Sequence, residues 1–238
     1  MPNTSLNIMS YIESVEILHK NLPEAYLERI KDSINIIKCS KKQQFILEGT
    51  PVNGLFFICS GRVKVFKTGI NDREQILRFV KQGEIVGHRG FGTRKSYAIS
   101  AIALEDTILC NLSNELLDKV LKELPALTYD LMLFYANELS ASESKVKAIA
   151  QMTVREKVID TLLYIDRKFG RNLKGYLDLQ LSRKEIAAFA GTTDDQVIRT
   201  LSSLKKDGLI NIAGKRIGIH DRAQLSKEIS DHNFFLQS

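Results

Sequence analysis

The stretch of sequence that decides the fold is LSRKEIAAFAGTTDDQVIRTLSSLKKDGLI, residues 181–210. A Ser-x-x-Glu capping box at Ser182 predicts the start of one helix, and Gly191 ends it where the backbone can turn with a positive φ. Thr193, in a capping pattern with Gln196, predicts the start of a second helix that runs to Lys205. The apolar residues that the two helices would share are Ile186, Ala190, Val197 and Leu201. This pattern predicts a helix-turn-helix.

A basic hairpin follows the second helix. Residues 208–210 end the helix and begin a strand, residues 213–215 form a tight Ala-Gly-Lys turn, and residues 216–219 return. Residues 150–238 carry 15 Lys and Arg against 11 Asp and Glu, which is +4 of the net charge of +6. Residues 153–238 are therefore predicted to form a winged helix-turn-helix domain that binds double-stranded DNA.

The second helix of the motif carries the residues expected to read DNA bases. Its first turns would enter the major groove, where Arg199 can pair with guanine, Gln196 with adenine and Asp195 with cytosine. An alternative for Asp195 and its neighbour Asp194 is that they only complement the helix dipole. The residues expected at phosphates, each of which is otherwise a solvated side chain, are Thr193, Lys205, Lys206, Lys215 and Arg216.

The rest of the chain shows two further sequence patterns, one typical of helices and one typical of strands. Helical spacing predicts helices over Tyr11–Leu18 and Glu24–Ile37, and residues 41–112 are short Val, Ile and Phe runs punctuated by glycines, which predicts strands. Asn114 can cap a returning helix, and Pro125 can begin the next one. Alternation over residues 176–181 predicts one more short strand.

The helix after Pro125 has more apolar surface than one neighbour would bury. One stripe, near coiled-coil spacing, comprises Leu131, Tyr135, Leu139 and Val146, and an adjacent strip comprises Tyr129, Met132, Leu133 and Ala136. We expect one strip to pack on its own domain and the other on a second copy of the chain, with the first stripe as the dimer interface. The alternative is a doubly buried core helix in a monomer.

Composition limits the classes of protein that the chain can belong to. With 44% hydrophobic and 26% charged residues among 238, the sequence predicts a soluble globular protein with a substantial core. No apolar run approaches the ~20 residues of a membrane span, and the N-terminus does not read as a secretory signal, so we expect a cytoplasmic protein. Three widely separated cysteines predict neither a disulfide framework nor a metal knuckle, and no catalytic motif is present, so we expect no enzyme.

Three stretches together resemble the Crp/Fnr family of bacterial transcription regulators. They are FILEGTPVNGLFFICSGRVKVF (residues 45–66), VKQGEIVGHRG (residues 80–90) and the helix-turn-helix (residues 181–210). The resemblance implies an α+β fold with an N-terminal double-stranded, jelly-roll-like β-roll (residues 1–125), a dimerisation helix (126–152) and a C-terminal winged helix-turn-helix (153–238). It also implies that Arg199 is the guanine-reading arginine and that Asp195 replaces the usual glutamate.

The effector site departs from the pattern of the nucleotide-binding members. Gly87 is kept, but His88 stands in place of the glutamate that holds the ribose, and Tyr97 and Ala98 replace the phosphate-binding arginine and hydroxyl residue. Because a buried phosphate without a cation is costly, we expect that cyclic AMP does not bind. Arg89, Arg94 and Lys95 are alternative cations or plain exposed charges. Ser142 and Glu143 fall where the family contacts the nucleotide base, although Glu143 fits a domain contact better.

Redox and haem sensing are the remaining possibilities that the resemblance raises. Three cysteines cannot hold an iron–sulfur cluster through four thiolates. His88 is either a haem ligand or a surface or hydrogen-bonding histidine. We predict no metal and no cofactor, and a homodimeric regulator whose partners are a palindromic duplex, a second copy, an unidentified small-molecule effector and RNA polymerase. The rival is a ligand-binding or protein-interaction module in which the winged helix is only structural.

Overall fold

The computed structural model describes residues 4–90 and 96–230, and it has an α+β fold. The chain divides into two compact units, Met1–Ala136 and Asn137–Ser238. The boundary falls inside one long helix, whereas the sequence treats residues 126–152 as a segment of their own. Leu127 and Leu131 explain the difference, because both are buried in the core of the first unit.

Three short helices open the first unit: α1 (Thr4–Glu13), α2 (Glu16–Asn21) and α3 (Glu24–Ile30). The predicted helix over Tyr11–Leu18 is interrupted at Ser14, whose hydroxyl lies 2.6 Å from the Tyr11 carbonyl oxygen and 3.0 Å from the Cys59 carbonyl oxygen. The predicted helix to Ile37 is wrong, because residues 35–39 form a strand. Pairing of these residues with a neighbouring strand outweighs their helical spacing.

In the described part of the first unit, eight strands form the β-roll. Their bounds are β1 (Asn35–Cys39), β2 (Gln44–Ile46), β3 (Leu55–Ser60), β4 (Arg62–Thr68), β5 (Glu74–Lys81), β6 (Ile85–Val86), β7 (Ser100–Ala103) and β8 (Thr107–Leu112). They make two antiparallel four-stranded sheets, in the orders β1-β8-β3-β6 and β2-β7-β4-β5. Phe56 and Ile58 of β3 face the core between the sheets, while Leu55, Phe57 and Cys59 face the helices. Burial on both faces explains why β3 is an unbroken apolar run.

Two cysteines that are distant in sequence meet in this unit. The Sγ atoms of Cys59 and Cys110, on the neighbouring strands β3 and β8, lie 2.8 Å apart, and both side chains are buried. The hydrogen bond between the sulfurs and the burial raise the pKa of the Cys110 thiol. Cys39 is buried elsewhere in the unit.

Two helices follow the β-roll, α4 (Asn114–Glu123) and α5 (Pro125–Gln151). The cap of α4 is Ser113 and not the predicted Asn114, because the Ser113 hydroxyl accepts from the Leu116 amide. Asn114 instead donates through its side-chain amide to the Val52 carbonyl oxygen at 2.7 Å. Pro125 is the first residue of α5, as the sequence predicts.

The second unit contains α6 (Val154–Phe169), α7 (Arg183–Ala190), α8 (Asp194–Lys206), β9 (Ile210–Ala213), β10 (Arg216–Ile219) and α9 (Arg222–Glu228). The capping boxes at Thr153 and Ser182 are both formed. Thr193 caps α8, but its box is not closed, because the Gln196 side chain accepts a hydrogen bond from the Thr192 hydroxyl. The predicted strand over residues 176–181 reduces to isolated bridges at Tyr176 and Leu177.

Candidate nucleic-acid interface and effector pocket

The helix-turn-helix consists of α7, the Gly191 turn and α8. Gly191 has φ 68°, a left-handed backbone conformation that favours glycine, and a Cβ placed there would make ordinary contact with the Ile149 side chain at 3.5 Å. Val197, Leu201 and Leu204 form the buried face of α8. The opposite face of α8 is left to solvent.

The eight residues predicted to contact DNA are all exposed on the second unit: Thr193, Asp195, Gln196, Arg199, Lys205, Lys206, Lys215 and Arg216. Asp195 and Arg199 are four residues apart in α8, which puts them on one face of the helix. Lys215 lies in the turn between β9 and β10, and Arg216 begins β10, with its guanidinium 5.3 Å from the centre of the Tyr176 ring. The predicted base-reading groups therefore lie on an exposed helix face, and the predicted phosphate contacts Lys215 and Arg216 lie on the β9–β10 hairpin.

A groove of about 460 Å³ lies between α8 and β9. Its lining includes Arg183, Lys205 and Lys206, which carry cations, and Ile198 and Ile212, which are apolar. Arg183 donates to the Gly214 carbonyl oxygen at 3.1 Å, which ties the start of α7 to the wing, and burial lowers the pKa of its guanidinium. Arg183 and Ile198 were not among the sequence candidates. Ile198 could have been found, since it follows Asp195 by three residues and adjoins Arg199.

Arg155 connects α8, the second helix of the helix-turn-helix, to α6 and α9. Arg155 in α6 contacts Glu228 through Nε at 2.8 Å, Asp207 at 2.9 Å and the Ser203 hydroxyl at 3.0 Å. These partners come from α9, the C-cap of α8 and α8 itself. A single guanidinium therefore links three elements and fixes the C-terminal end of the recognition helix.

Tyr97, one of the predicted effector-pocket residues, is buried in the first unit. Its side chain is 3% exposed, and its hydroxyl lies 2.5 Å from Asn53 Oδ1 and 3.0 Å from the Gly54 carbonyl oxygen, while accepting from the Asn53 amide. A Cβ at Gly87 would lie 3.3 Å from the Tyr97 ring, and one at Gly90 would lie 3.1 Å from it. The ring thus packs against the two glycines of the segment that resembles the phosphate-binding cassette, and burial raises the pKa of its hydroxyl.

His88 is buried, which corrects the interpretation of this residue as a surface side chain. It is 4% exposed, and its ring meets the rings of Phe134 and Tyr135 edge-on at 5.0 and 5.4 Å. Burial, with the charges of Arg78 and Arg89 in addition, lowers the pKa of His88 to about 2, so its imidazole is neutral. The Tyr135 hydroxyl donates to the His88 carbonyl oxygen at 2.6 Å.

The other predicted pocket residues have separate places. Arg89 is exposed and Ala98 is half-buried, while Arg94 and Lys95 lie outside the described residues. Ser142 and Glu143 belong to the second unit. The Ser142 hydroxyl donates to the Glu138 carbonyl oxygen of its own helix at 2.8 Å, and the Glu143 side chain is exposed.

In α5, the division between buried and exposed apolar residues differs from the predicted division into two strips. Placing Leu131 in a subunit interface is wrong, because this side chain is 4% exposed and lies in the core of its own unit. Tyr135 is half-buried through its bond to His88. Leu139 and Val146 are 62% and 68% exposed. The exposed positions with alternating spacings of three and four are Tyr129, Met132, Ala136, Leu139, Glu143 and Val146.

Two other kinds of site can be judged from residues 4–90 and 96–230. His, Cys, Asp and Glu side chains form no cluster of three or more there that suits a metal ion. Within the same residues, no helix has the length and apolar character that crossing a membrane requires.

A β-roll followed by a long helix and a winged helix-turn-helix defines a class of DNA-binding regulator, and comparison with known proteins identifies the family. The model of the cyclic nucleotide-binding domain matches residues 36–123, and that of the Crp-like helix-turn-helix domain matches residues 156–228. The chain belongs to the Crp/Fnr family of transcription regulators.

Individual relatives extend over most of the chain. The transcriptional activator protein Anr of Pseudomonas aeruginosa is 30% identical over 190 residues, which cover 78% of this chain and 77% of that protein. The cyclic AMP receptor protein of Thermus thermophilus is 27% identical and covers 76% of this chain and 81% of its own length. The structure of FixK2 from Bradyrhizobium japonicum superimposes with a TM-score of 0.72 at 25% identity, covering 82% of this chain and 96% of that one.

Proposed function

We propose that this chain is a homodimeric regulator that binds a palindromic DNA site through α8 and the β9–β10 wing, under control of a signal other than cyclic AMP. The observation that carries the proposal is the recognition face, where Asp195, Gln196 and Arg199 are exposed beside the cations of the wing. In this proposal the protein acts in the cytoplasm without catalysis, and RNA polymerase is its further partner at a promoter.

Dimerisation is supported by the exposed face of α5. An apolar row at heptad spacing on a 27-residue helix suits a parallel helix pair formed with a second copy. We assign the interface to Met132, Ala136, Leu139 and Val146. Leu131 stays in the core of its own unit, and the Tyr135 hydroxyl is hydrogen-bonded to the His88 carbonyl oxygen. Glu143 would be the single charged residue in the row.

The dimer is tested by one substitution and a matched control. Leu139→Asp should convert dimers to monomers in sedimentation velocity at micromolar concentration, because two carboxylates would be buried opposite each other. Leu173→Asp makes the same chemical change at a fully exposed turn outside α5 and should leave the dimer intact. A Leu139→Asp variant that still sediments as a dimer would place the interface elsewhere.

DNA binding is tested by selecting duplexes from a random library and titrating the selected palindrome and its scrambled form at several salt concentrations. We expect the palindrome to bind at least about a thousandfold more tightly, with affinity that falls steeply as salt rises. Equal, weak binding to both duplexes would favour the rival in which the winged helix is structural. The exposed acids Asp194 and Asp195 are the feature that favours this rival.

The closed effector pocket supports the exclusion of cyclic AMP. Tyr97 occupies space beside Gly87 and offers no positive charge to a cyclic phosphate. Calorimetry with cyclic AMP should give no binding at micromolar concentration. Micromolar affinity would contradict the assignment of Tyr97 as the group that fills the pocket.

A further inference from the structure

The recognition helix exposes one aliphatic side chain that helix packing does not use. Of the four aliphatic residues in α8, the side chains of Val197, Leu201 and Leu204 are buried against the rest of the domain. Ile198 is 48% exposed. A β-branched apolar residue gains nothing from helix propensity in this position, and its exposed surface is available to a partner outside the chain.

Ile198 shares its helix face with the polar residues that we assign to base reading. It follows Asp195 by three residues, precedes Ser202 by four and adjoins Arg199, and all three of those neighbours are exposed. At 3.6 residues per turn these positions cluster on one side of α8. A helix docked with Asp195 and Arg199 in the major groove therefore carries Ile198 into the groove as well.

The surroundings of Ile198 match the two components of a DNA strand. Ile198 lines the groove together with Leu201 and Ile212, and the same groove carries the cations of Lys205 and Lys206. Lys205 and Lys206 follow Ile198 by seven and eight residues, and cations at these positions suit contacts with backbone phosphates. The apolar part of the lining suits a group that has no hydrogen-bonding capacity. The major-groove edge of a base pair offers one such group, the C5 methyl of thymine.

We propose that Ile198 is a specificity-determining residue that reads a thymine in each half-site by packing against its C5 methyl group. The inference rests on the proposed DNA-binding function and adds a base identity to it. A polar base edge in the same place would lose its water without gaining a partner, so cytosine or adenine is discriminated against.

The test removes the apolar group from each side of the contact in turn, the C5 methyl from the DNA and the side chain of Ile198 beyond Cβ from the protein. Each thymine of the selected palindrome is replaced in turn by deoxyuridine, which keeps base pairing and the O4 acceptor and lacks only the methyl. The wild-type protein should lose about fourfold in affinity at one thymine of a half-site, the value expected for one buried methyl. Ile198→Ala should bind the thymine duplex more weakly and should no longer distinguish it from the deoxyuridine duplex.

A matched control separates this contact from general loss of apolar surface. Leu173→Ala removes a side chain of equal size from a fully exposed turn and should keep the wild-type preference for thymine. Melting curves of both variants should overlay that of the wild-type protein, because neither residue is buried.

Two results would overturn the inference, and they are distinguishable. The role of Ile198 alone is overturned if the protein binds the palindrome specifically and deoxyuridine lowers the affinity at no thymine. It is also overturned if the Ile198→Ala variant retains the full thymine preference. Failure of the wild-type protein to bind any selected duplex overturns the DNA-binding function and this inference with it.

Discussion

The surroundings of Tyr97 in the first unit and the exposed face of α8 in the second are built in opposite ways. Tyr97 is 3% exposed, and its hydroxyl is hydrogen-bonded to Asn53 and Gly54. On the recognition face, Arg199 and Ile198 are exposed. A side chain that fills its own site contributes to folding, whereas one left in solvent contributes to binding. Substitutions should therefore separate into losses of stability in the first unit and losses of DNA affinity in the second.

The largest effect should follow from emptying the pocket. Tyr97→Ala removes a buried ring and should cost roughly 3–5 kcal/mol in the free energy of unfolding. Tyr97→Phe keeps the ring and loses only the hydroxyl bonds, so it should cost about 1–3 kcal/mol. Urea unfolding followed by circular dichroism measures both. If Tyr97→Ala unfolds like the wild-type protein, the ring does not fill the pocket.

Acid should destabilise the first unit through His88. The pKa of this histidine is lowered from 6.5 to about 2 in the folded protein, so below pH 6.5 the unfolded state binds a proton that the native state does not. Stability is complete above pH 6.5 and should fall by about 1.4 kcal/mol per pH unit below it, or about 2.7 kcal/mol at pH 4.5. His88→Phe keeps a ring between Phe134 and Tyr135 and should remove this component. An identical pH profile in the variant would assign the acid sensitivity to other groups.

On the recognition face, Arg199→Ala should change specificity and leave stability alone. Loss of a bidentate pair with guanine costs about 1–3 kcal/mol of discrimination, so the ratio of affinities for the palindrome and the scrambled duplex should fall about 5- to 150-fold. Fluorescence anisotropy titrations measure this ratio, with unfolding curves as the control. Equal weakening of both duplexes would make Arg199 an anchor to phosphate.

The smallest effect should come from the wing. Lys215 is expected at a phosphate, so Lys215→Ala should weaken all duplexes about equally and lower the slope of log affinity against log salt by about one. The ratio of affinities for palindrome and scrambled duplex should stay unchanged. A salt slope equal to that of the wild-type protein would show that Lys215 remains in solvent.

Sequence patterns predicted the second unit better than the first, for a physical reason. Capping boxes and the Gly191 turn are local signals, and they act at Thr153 and Ser182 as the sequence implies. The strand at residues 35–39 depends on pairing with β8, about 70 residues away. The meeting of Cys59 with Cys110 depends in the same way on the order of strands in a sheet. Helical or alternating spacing carries no information about such partners.

The candidate sites show the same limit. Spacing along α5 identifies two apolar strips but not which of them faces the β-roll, and Leu131 was therefore assigned to the wrong side. The substitutions at His88 and Tyr97 were visible in the sequence as departures from the nucleotide-binding pattern. Their consequence, a Tyr97 ring packed against Gly87 and Gly90 and an imidazole in contact with Phe134 and Tyr135, depends on contacts across the fold.

Tyr97 also sets a thermodynamic threshold for any small molecule that would occupy this cleft. Such a molecule binds only the minor conformer in which the ring has left Gly87, and its apparent dissociation constant is its intrinsic constant divided by the population of that conformer. If opening costs about 4 kcal/mol, that population is about one in a thousand, and an intrinsically micromolar molecule would bind at millimolar concentration. Tyr97 is in this sense an intramolecular competitor, which a diffusing molecule displaces only through higher intrinsic affinity or higher concentration.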